Sequence, residues 1–236
     1  MDNKVVVYRD WDNVPTIPVD VKKNAEQRLA CVLLIDCSGS MSQDNQMEQV
    51  NIGLREFEQA LKEDALASVR VVVSVIAFGT PNGVDVVQEW TDAIDFTAPQ
   101  FTATGGTPMG AAVDLALDTL EAMTRHFRDN GIAQYKPWLF IFTDGQPTDD
   151  FHAAARRCAD AVEKRKVIVW PITTQPQGAK ELKEFVGPSG NVFAIKTANV
   201  RELFRWLSDS VKAGSAANPG ERAQIEAPGR LIDVEL

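Results

Sequence analysis

The sequence predicts an α/β fold with a doubly wound, mainly parallel central sheet, one antiparallel edge strand and helices on both faces. Its apolar runs are continuous rather than alternating, which is typical of strands buried on both faces. Helical patterns lie between these runs, so that strand and helix alternate along the chain. The runs are ACVLLID (30–36), VRVVVSVIAFG (69–79), WLFIFTD (138–144), KVIVWPI (166–172) and NVFAIK (191–196).

Two helices are predicted from apolar residues that recur at spacings of three and four, so that each helix has one apolar stripe. The stripes are formed by Met47, Val50, Leu54, Phe57 and Leu61, and by Val113, Leu117, Leu120, Met123 and Phe127. Further helices are predicted at 149–165, about 179–186 and about 200–213. In the first of these we interpret Asp149 and Asp150 as N-terminal acids favoured by the helix dipole.

The segment VDVVQEW (84–90) differs from the other strands because it follows the second one after only a short turn, GTPNG. A Pro-Asn-Gly sequence between two strand patterns is typical of a hairpin. This segment is therefore predicted to be the antiparallel edge strand.

Both ends of the chain differ in composition from the middle. Residues 1–28 are polar with two prolines, and residues 214–236 are rich in Gly, Ala and Pro, so we expect two arms around one domain at 29–213. The composition of the tail favours flexibility, although its last segment, RLIDVEL, could also pack back on the domain or on a partner. Trp11 in the first arm either packs on the domain or anchors a partner.

The net charge of −9 argues against a protein that binds nucleic acid or anionic membrane through a basic surface. No apolar stretch approaches the roughly 20 residues of a membrane span, and the polar start lacks the pattern of a secretory signal. We therefore expect a cytoplasmic protein with no membrane span. The three cysteines show no paired C-x-x-C spacing, so they are expected to be buried thiols rather than disulfide or zinc-site residues.

A parallel sheet binds ligands in the loops beyond the carboxyl ends of its strands. Three loops of this chain are predicted to lie there: one after the first strand, one before the second long helix and one after the strand at 138–143. DCSGS supplies Asp36, Ser38 and Ser40, TATGGTPMG supplies Thr107, and TDGQPTDD supplies Asp144. These residues are two carboxylates and three hydroxyls, all hard oxygen donors. Such a set suits Mg²⁺ or Mn²⁺ and does not suit zinc.

The same motifs carry a resemblance to a known family. Asp-x-Ser-x-Ser after the first strand, Gly-Gly-Thr before a helix and Thr-Asp-Gly after a central strand resemble the Rossmann-like von Willebrand factor A (VWA) fold with its metal-ion-dependent adhesion site (MIDAS). The resemblance covers about residues 29–213. Within the family, LLIDCSGSM, VSVIAFG, ATGGTPMGAAVDLA and IFTDGQPTD are most similar to the stand-alone bacterial, tellurium-resistance-associated (TerY-like) group.

The resemblance implies a role for each residue of the site. Asp36, Ser38 and Ser40 would surround the ion, Thr107 would coordinate it directly when a partner is bound, and Asp144 would coordinate it directly or through water. An ion with so few charged ligands keeps net positive character, which a partner's Asp or Glu can satisfy. The implied function is a non-enzymatic, Mg²⁺-dependent protein–protein interaction module. Its implied setting is a bacterial stress or tellurium-resistance system with kinase or phosphatase partners.

Other interpretations of the same residues stay open at this point. Ser38 and Ser40 could cap the helix that begins near residue 45. Asp36 could be the nucleophile of a metal-dependent phosphohydrolase, although such enzymes need a second acid where this chain has Ser38. Phosphorylation of Ser38, Ser40, Ser42 or Thr148 would repel the two carboxylates and block the metal. His152 could reach the rim of the site, but a solvated helix position is the simpler expectation.

Overall fold

The structure, a computed structural model, describes residues 24, 26–175, 178–216 and 232–235. All strands within these residues belong to one sheet. The strands are β1 (Leu29–Asp36), β2 (Val71–Thr80), β3 (Gly83–Asp92), β4 (Trp138–Thr143), β5 (Ile168–Thr173), β6 (Phe193–Ile195) and β7 (Ile232–Glu235). They lie in the order β3-β2-β1-β4-β5-β6-β7. The pairs β1–β2, β1–β4, β4–β5 and β5–β6 are parallel.

The two outermost strands are antiparallel to their neighbours. β3 pairs with β2, which confirms the predicted hairpin and edge strand. β7 pairs with β6 at the opposite edge through Phe193 and Glu235, Ala194 and Val234, and Ile195 and Ile232. Residues 232–235 of the tail therefore pack back on the domain, one of the alternatives that the sequence left open. The first arm up to residue 23, including Trp11, lies outside the described residues.

The helices cover both faces of the sheet. They are α1 (Gln46–Glu63), α2 (Ala67–Arg70), α3 (Met109–Asp129), α4 (His152–Glu163), α5 (Ala179–Val186) and α6 (Val200–Ala216). Apolar residues of α1 and α6 share one buried cluster, and those of α3, α4 and α5 share the other. The predicted helix at 149–165 begins three residues late, at His152, because residues 144–151 form the loop of the candidate site.

The two clusters explain why the central strands read as continuous apolar runs. Every residue of β1 is buried. Cys31, Leu33 and Ile35 face one cluster, whereas Val32 and Leu34 face the other, as strand alternation requires. All three cysteines are free and buried, as predicted. Among the described residues, no helix combines the length and the apolar character needed to cross a membrane.

Candidate metal centre

Asp36 ends β1 at the middle of the sheet, and its side chain is fully buried. Its Oδ1 accepts a hydrogen bond of 2.7 Å from the backbone N–H of Ser38. Its Oδ2 accepts one of 2.5 Å from the hydroxyl of Thr143, the last residue of β4. Three loops meet around this carboxylate: the first follows β1, the second precedes α3, and the third follows β4. The first and second loops are joined by a hydrogen bond of 2.9 Å from the N–H of Gly39 to Gly105 O.

Ser38 and Ser40 link the first loop to Asp144. The two serine hydroxyls are 3.0 Å apart, and the hydroxyl of Ser40 donates to Asp144 Oδ1 over 2.7 Å. Ser38 occupies the N-cap position of a 3₁₀ segment at Gly39–Asn45, yet its side chain makes no capping hydrogen bond. Neither hydroxyl is used as a cap for α1, whose N-cap residue is Asn45. The helix-cap interpretation of these serines is therefore wrong.

Thr107 is buried in the second loop, which is joined to the third loop by two hydrogen bonds. Its N–H donates to Thr148 Oγ1, and its carbonyl accepts from the N–H of Thr148, both over 2.9 Å. Gly79 makes the close packing of this region possible, because it has φ +79° and a Cβ there would lie 2.5 Å from Gly106 O and 2.6 Å from Ser38 N. The backbone around Thr107 is thus fixed from both sides.

The space beside Gly145 shows how closely the three loops converge. An ideal Cβ on Gly145 would lie 3.4 Å from Thr107 Oγ1, 3.7 Å from Ser40 Oγ and 4.0 Å from Asp36 Oδ2. Oxygen atoms of the first two loops therefore lie beside Gly145 of the third loop, and hydrogen bonds through Ser40 add Ser38 and Asp144 to the group. The structure brings all five predicted residues together. Two carboxylates and three hydroxyls are a donor set that fits Mg²⁺ or Mn²⁺.

Hydroxyl groups are essential to this fit. In the described part of the chain, no group of three or more His, Cys, Asp or Glu side chains is arranged to hold a metal ion. An ion bound by these five residues would gain two formal negative charges, which balance the charge of a divalent ion. Five protein donors would leave one of the six positions that Mg²⁺ prefers for a further hard oxygen ligand.

Burial disfavours the ionised form of both carboxylates and so raises their pKa values. Burial raises the pKa of Asp36 to about 6; hydrogen bonds from Thr143 and Ser38 lower this pKa, and the charge of Asp144 raises it. Burial likewise raises the pKa of Asp144, against the lowering effect of hydrogen bonds from Ser40 and Gln46. Two acids whose ionised forms are disfavoured in this way are stabilised by a nearby positive charge.

Gln46, at the start of α1, is a site residue that sequence reasoning missed. Its side chain is fully buried, and its Nε2 donates to Asp144 Oδ2 over 3.2 Å. Its Oε1 accepts a hydrogen bond of 2.5 Å from the hydroxyl of Thr174. Both oxygens of Asp144 are therefore held by protein donors. No sequence signal pointed to Gln46, because a polar residue in the first turn of a helix is ordinary.

Thr143 was also missed, although its position at the end of the apolar run WLFIFT was a usable signal. A hydroxyl beside the ligand-bearing edge of a buried strand needs a partner. The structure supplies Asp36 as that partner.

Asp149 requires a correction. Its Oδ1 and Oδ2 accept hydrogen bonds from the N–H groups of Gly110, over 3.1 Å, and Ala111, over 3.0 Å, so it caps α3 rather than its own helix. The reason is that Pro108 occupies the N-cap position of α3 and offers no side-chain acceptor. Asp150 serves α4 as expected, since its Oδ1 accepts from the N–H of His152 over 3.3 Å.

His152 lies outside the cluster of oxygen donors. Its side chain is exposed, and its Nδ1 lies 3.1 Å from Glu184 Oε2. This is the solvated helix position that the sequence favoured.

The fold is shared with several crystal structures at low sequence identity. The pilus adhesin SpaC from Lactobacillus rhamnosus GG matches with a TM-score of 0.62 at 15% identity, over 80% of this chain and 32% of the adhesin. The vWF domain of the type V pili tip protein Mfa5 from Porphyromonas gingivalis matches with a TM-score of 0.57 at 11% identity, over 83% of this chain and 99% of that domain. Proximal thread matrix protein 1 from the mussel byssus matches with a TM-score of 0.55 at 14% identity, over 83% and 48%.

This chain therefore corresponds to about a third of the pilus adhesin and about half of the thread matrix protein. No curated protein matches its sequence. Residues 31–206, more than half of the chain, match the family model described as VWA, von Willebrand factor type A domain. This match includes every residue of the candidate site and agrees with the shared fold. The chain belongs to the von Willebrand factor type A domain family.

Proposed function

We propose that this domain is a Mg²⁺-dependent protein-binding module that captures an Asp or Glu side chain of a partner. The observation that carries the proposal is the convergence of Asp36, Ser40 and Thr107 around the space beside Gly145. Ser38 and Asp144 complete the donor set through their hydrogen bonds with Ser40. Mn²⁺ has the same preference for oxygen ligands and would substitute for Mg²⁺.

The donor set of the site supports an acidic ligand. Its five protein oxygens would leave one of the six positions around Mg²⁺ open, and the hydroxyl ligands add no charge. A carboxylate from a partner is the hard, anionic oxygen donor that such an ion prefers. Metal bridging would explain how a protein with a net charge of −9 can bind an acidic group.

Kinship supports a binding role over catalysis. Domains of this family are mostly adhesion or interaction domains, and one of the proteins that shares the fold is a pilus adhesin. Asp36 is poorly placed to act as a nucleophile, because both of its oxygens already accept hydrogen bonds and Ser38 stands where a phosphohydrolase would need an acid. We therefore propose no catalytic role for this site.

The motifs LLIDCSGSM, VSVIAFG, ATGGTPMGAAVDLA and IFTDGQPTD support a setting as well as a mechanism. Their similarity to the tellurium-resistance-associated group suggests a cytoplasmic module of a bacterial stress system. In that setting the partner would be a kinase or phosphatase of the same system. The acidic residue that reaches the metal would lie on the surface of that partner.

Affinity capture from a lysate of the source cells tests the proposal. The parent protein, Asp36→Ala and Asp150→Ala would each be used as bait, in Mg²⁺ and in EDTA, and the captured proteins identified by mass spectrometry. Asp150 is the matched control, because it is an exposed acid that accepts a hydrogen bond from the N–H of His152 and does not belong to the oxygen cluster. We expect a partner that is retained in Mg²⁺ by the parent and by Asp150→Ala, and lost with Asp36→Ala or EDTA.

The proposal would be contradicted if the same proteins were captured in Mg²⁺ and in EDTA, and by the parent and by Asp36→Ala. Turnover of a phosphate ester that depends on Mg²⁺ and is lost in Asp36→Asn would favour the phosphohydrolase instead.

A further inference from the structure

A cleft of about 340 Å³ lies at the opposite end of the sheet from the candidate metal centre, between the end of α4 and the start of β5. Its lining consists of Lys136, Val162, Arg165, Val167, Ile168 and Val169. The four apolar side chains are buried or half-buried and form a floor, whereas the two cationic side chains are exposed at its margin.

The cations beside this cleft lack partners. Among the described residues, the side chains of Lys136, Arg165 and the adjacent Lys166 make no hydrogen bond or ion pair, whereas Lys164 pairs with Asp160 over 2.7 Å. Three such positive charges therefore lie on neighbouring loops of a protein with a net charge of −9. Cations without a partner can attract an anionic ligand.

The backbone of Arg165 supplies an independent observation. Arg165 has φ +54° and follows the C-cap residue of α4, Lys164. Its N–H donates to Val162 O, and the N–H of Lys166 donates to Ala161 O, both over 2.9 Å, which is the Schellman arrangement. Glycine is the favoured residue at this left-handed position, and any other side chain there is strained. An arginine at such a position is explained if its guanidinium group binds a ligand.

The first half of β5, which lines the cleft, has an edge that no described strand pairs with. The N–H of Ile168 bonds to Pro137 O on the β4 side, so strand alternation directs the N–H and C=O of Val169 to the other side. Within the described residues, β6 pairs with β5 only at Ile172 and Thr173. An added extended chain could therefore pair with the backbone of Val169.

We propose that this cleft binds an extended segment of a partner protein in which acidic and apolar residues alternate. Side chains of an extended chain point to opposite faces in turn, so one set would meet the apolar floor and the other would reach Arg165 and Lys136. The apolar floor favours such a peptide over a nucleic acid, which would need a wider basic surface. This surface is separate from the metal centre and requires no metal.

The test uses the whole 236-residue chain in EDTA, so that the metal centre takes no part. The probe is a fluorescein-labelled octapeptide of alternating Glu and Val, and a peptide of alternating Lys and Val is its control; binding is followed by fluorescence anisotropy. Because each change removes a charged hydrogen-bond donor, Arg165→Gly or Lys136→Gln should weaken binding of the acidic peptide about tenfold or more. Lys164→Gln is the matched control and should leave the affinity unchanged, because that cation is already paired.

Arg165→Gly also separates a binding role from a structural one. Since glycine relieves the strain at φ +54°, this variant should melt at a higher temperature than the parent while it binds the peptide more weakly. Arg165→Lys should retain part of the affinity.

Three results would overturn the proposal. They are an absence of saturable binding of the acidic peptide, an affinity that does not change in Arg165→Gly and Lys136→Gln, and tighter binding of a single-stranded oligonucleotide than of the peptide.

Discussion

The hydroxyl of Thr143 lies 2.5 Å from Oδ2 of Asp36, so the last residue of β4 orients the carboxylate that ends β1. The parallel register of these strands, in which Ile35 lies opposite Phe142, brings the two residues together. With the N–H of Ser38 on the other oxygen, the carboxylate is held in one orientation before any ion binds. Such supporting hydrogen bonds are a general means of raising metal affinity.

Replacing Thr143 by valine should weaken Mg²⁺ binding while the shape of the side chain is kept. Loss of a hydrogen bond to a metal ligand typically lowers metal affinity by about 10–100-fold, and isothermal titration calorimetry would measure the change. Thr173→Val is the matched control, because Thr173 lies opposite Thr143 in β5, is equally buried, and donates to Gln175 O rather than to the site. Equal losses of affinity in the two variants would show that Thr143 acts only through general stability.

The stability of the metal-free protein should fall as the pH rises from about 4 to above 6. The pKa of Asp36 is raised from 3.8 to about 6 in the folded protein, so the folded state holds a proton there that the unfolded state has released. This contribution is fully present below the unfolded pKa and is lost as the pH rises through the folded pKa. The measurement is the denaturant midpoint in EDTA as a function of pH, for the parent and Asp36→Asn.

Asp36→Asn cannot titrate at this position, so its stability should decline less over the same pH range. Parallel pH profiles for the two proteins would contradict the assignment. Saturating Mg²⁺ should remove the decline in the parent, because the ion stabilises the ionised carboxylate.

Removing the carboxylate of Asp149 should destabilise the fold by about 1 kcal/mol, the usual effect of losing a helix N-cap. This residue accepts hydrogen bonds from two N–H groups of α3, at Gly110 and Ala111, which Pro108 cannot satisfy. Denaturant unfolding of Asp149→Ala would measure the loss. Asp150→Ala should cost less, since Asp150 is exposed and makes a single longer hydrogen bond of 3.3 Å to α4. A larger loss of stability in Asp150→Ala than in Asp149→Ala would contradict the role of Asp149 as the cap of α3.

Gly145→Ala should weaken metal binding more than it weakens the fold. The added Cβ would make ordinary van der Waals contacts, the nearest at 3.4 Å, so the metal-free protein should tolerate it. Those contacts are with Thr107, Ser40 and Asp36, so the methyl group would occupy space among the ligands. Gly39→Ala is the control in the neighbouring loop, because a Cβ there would meet only Gly105 O, at 3.8 Å. Calorimetric titration with Mg²⁺ would contradict this expectation if both variants bound like the parent.

The parallel part of the fold could be predicted from the sequence because burial on both faces leaves a direct trace. Every residue of β1 is buried, so ACVLLI has no polar position before Asp36 ends the strand. The sequence pattern of β7, the strand at the other edge, was not sufficient to predict it as part of the sheet. β7 consists of four residues that pair with the three residues of β6, and an isolated strand of that length is not stable by itself. Its existence depends on a neighbour that local patterns do not show.

The same distinction applies to the candidate site. Asp36, Ser38 and Ser40 stand in one short motif, and Thr107 and Asp144 each lie beside glycines that mark their loops. The supporting residues act across long separations instead: Thr143 contacts Asp36 over 107 positions and Gln46 contacts Asp144 over 98. Such contacts follow from the packing of whole elements, and no local pattern encodes them.

The position of β1 between β2 and β4 has a consequence for the order of events in folding. Ser40 and Asp144 are 104 positions apart, so their contact requires β4 to have paired with β1. Contacts between such distant parts of a chain form slowly, because a long loop must first be closed. The complete set of donors therefore arises late, and an ion cannot help the chain through the early steps. We expect Mg²⁺ to slow unfolding while it leaves the rate of refolding unchanged.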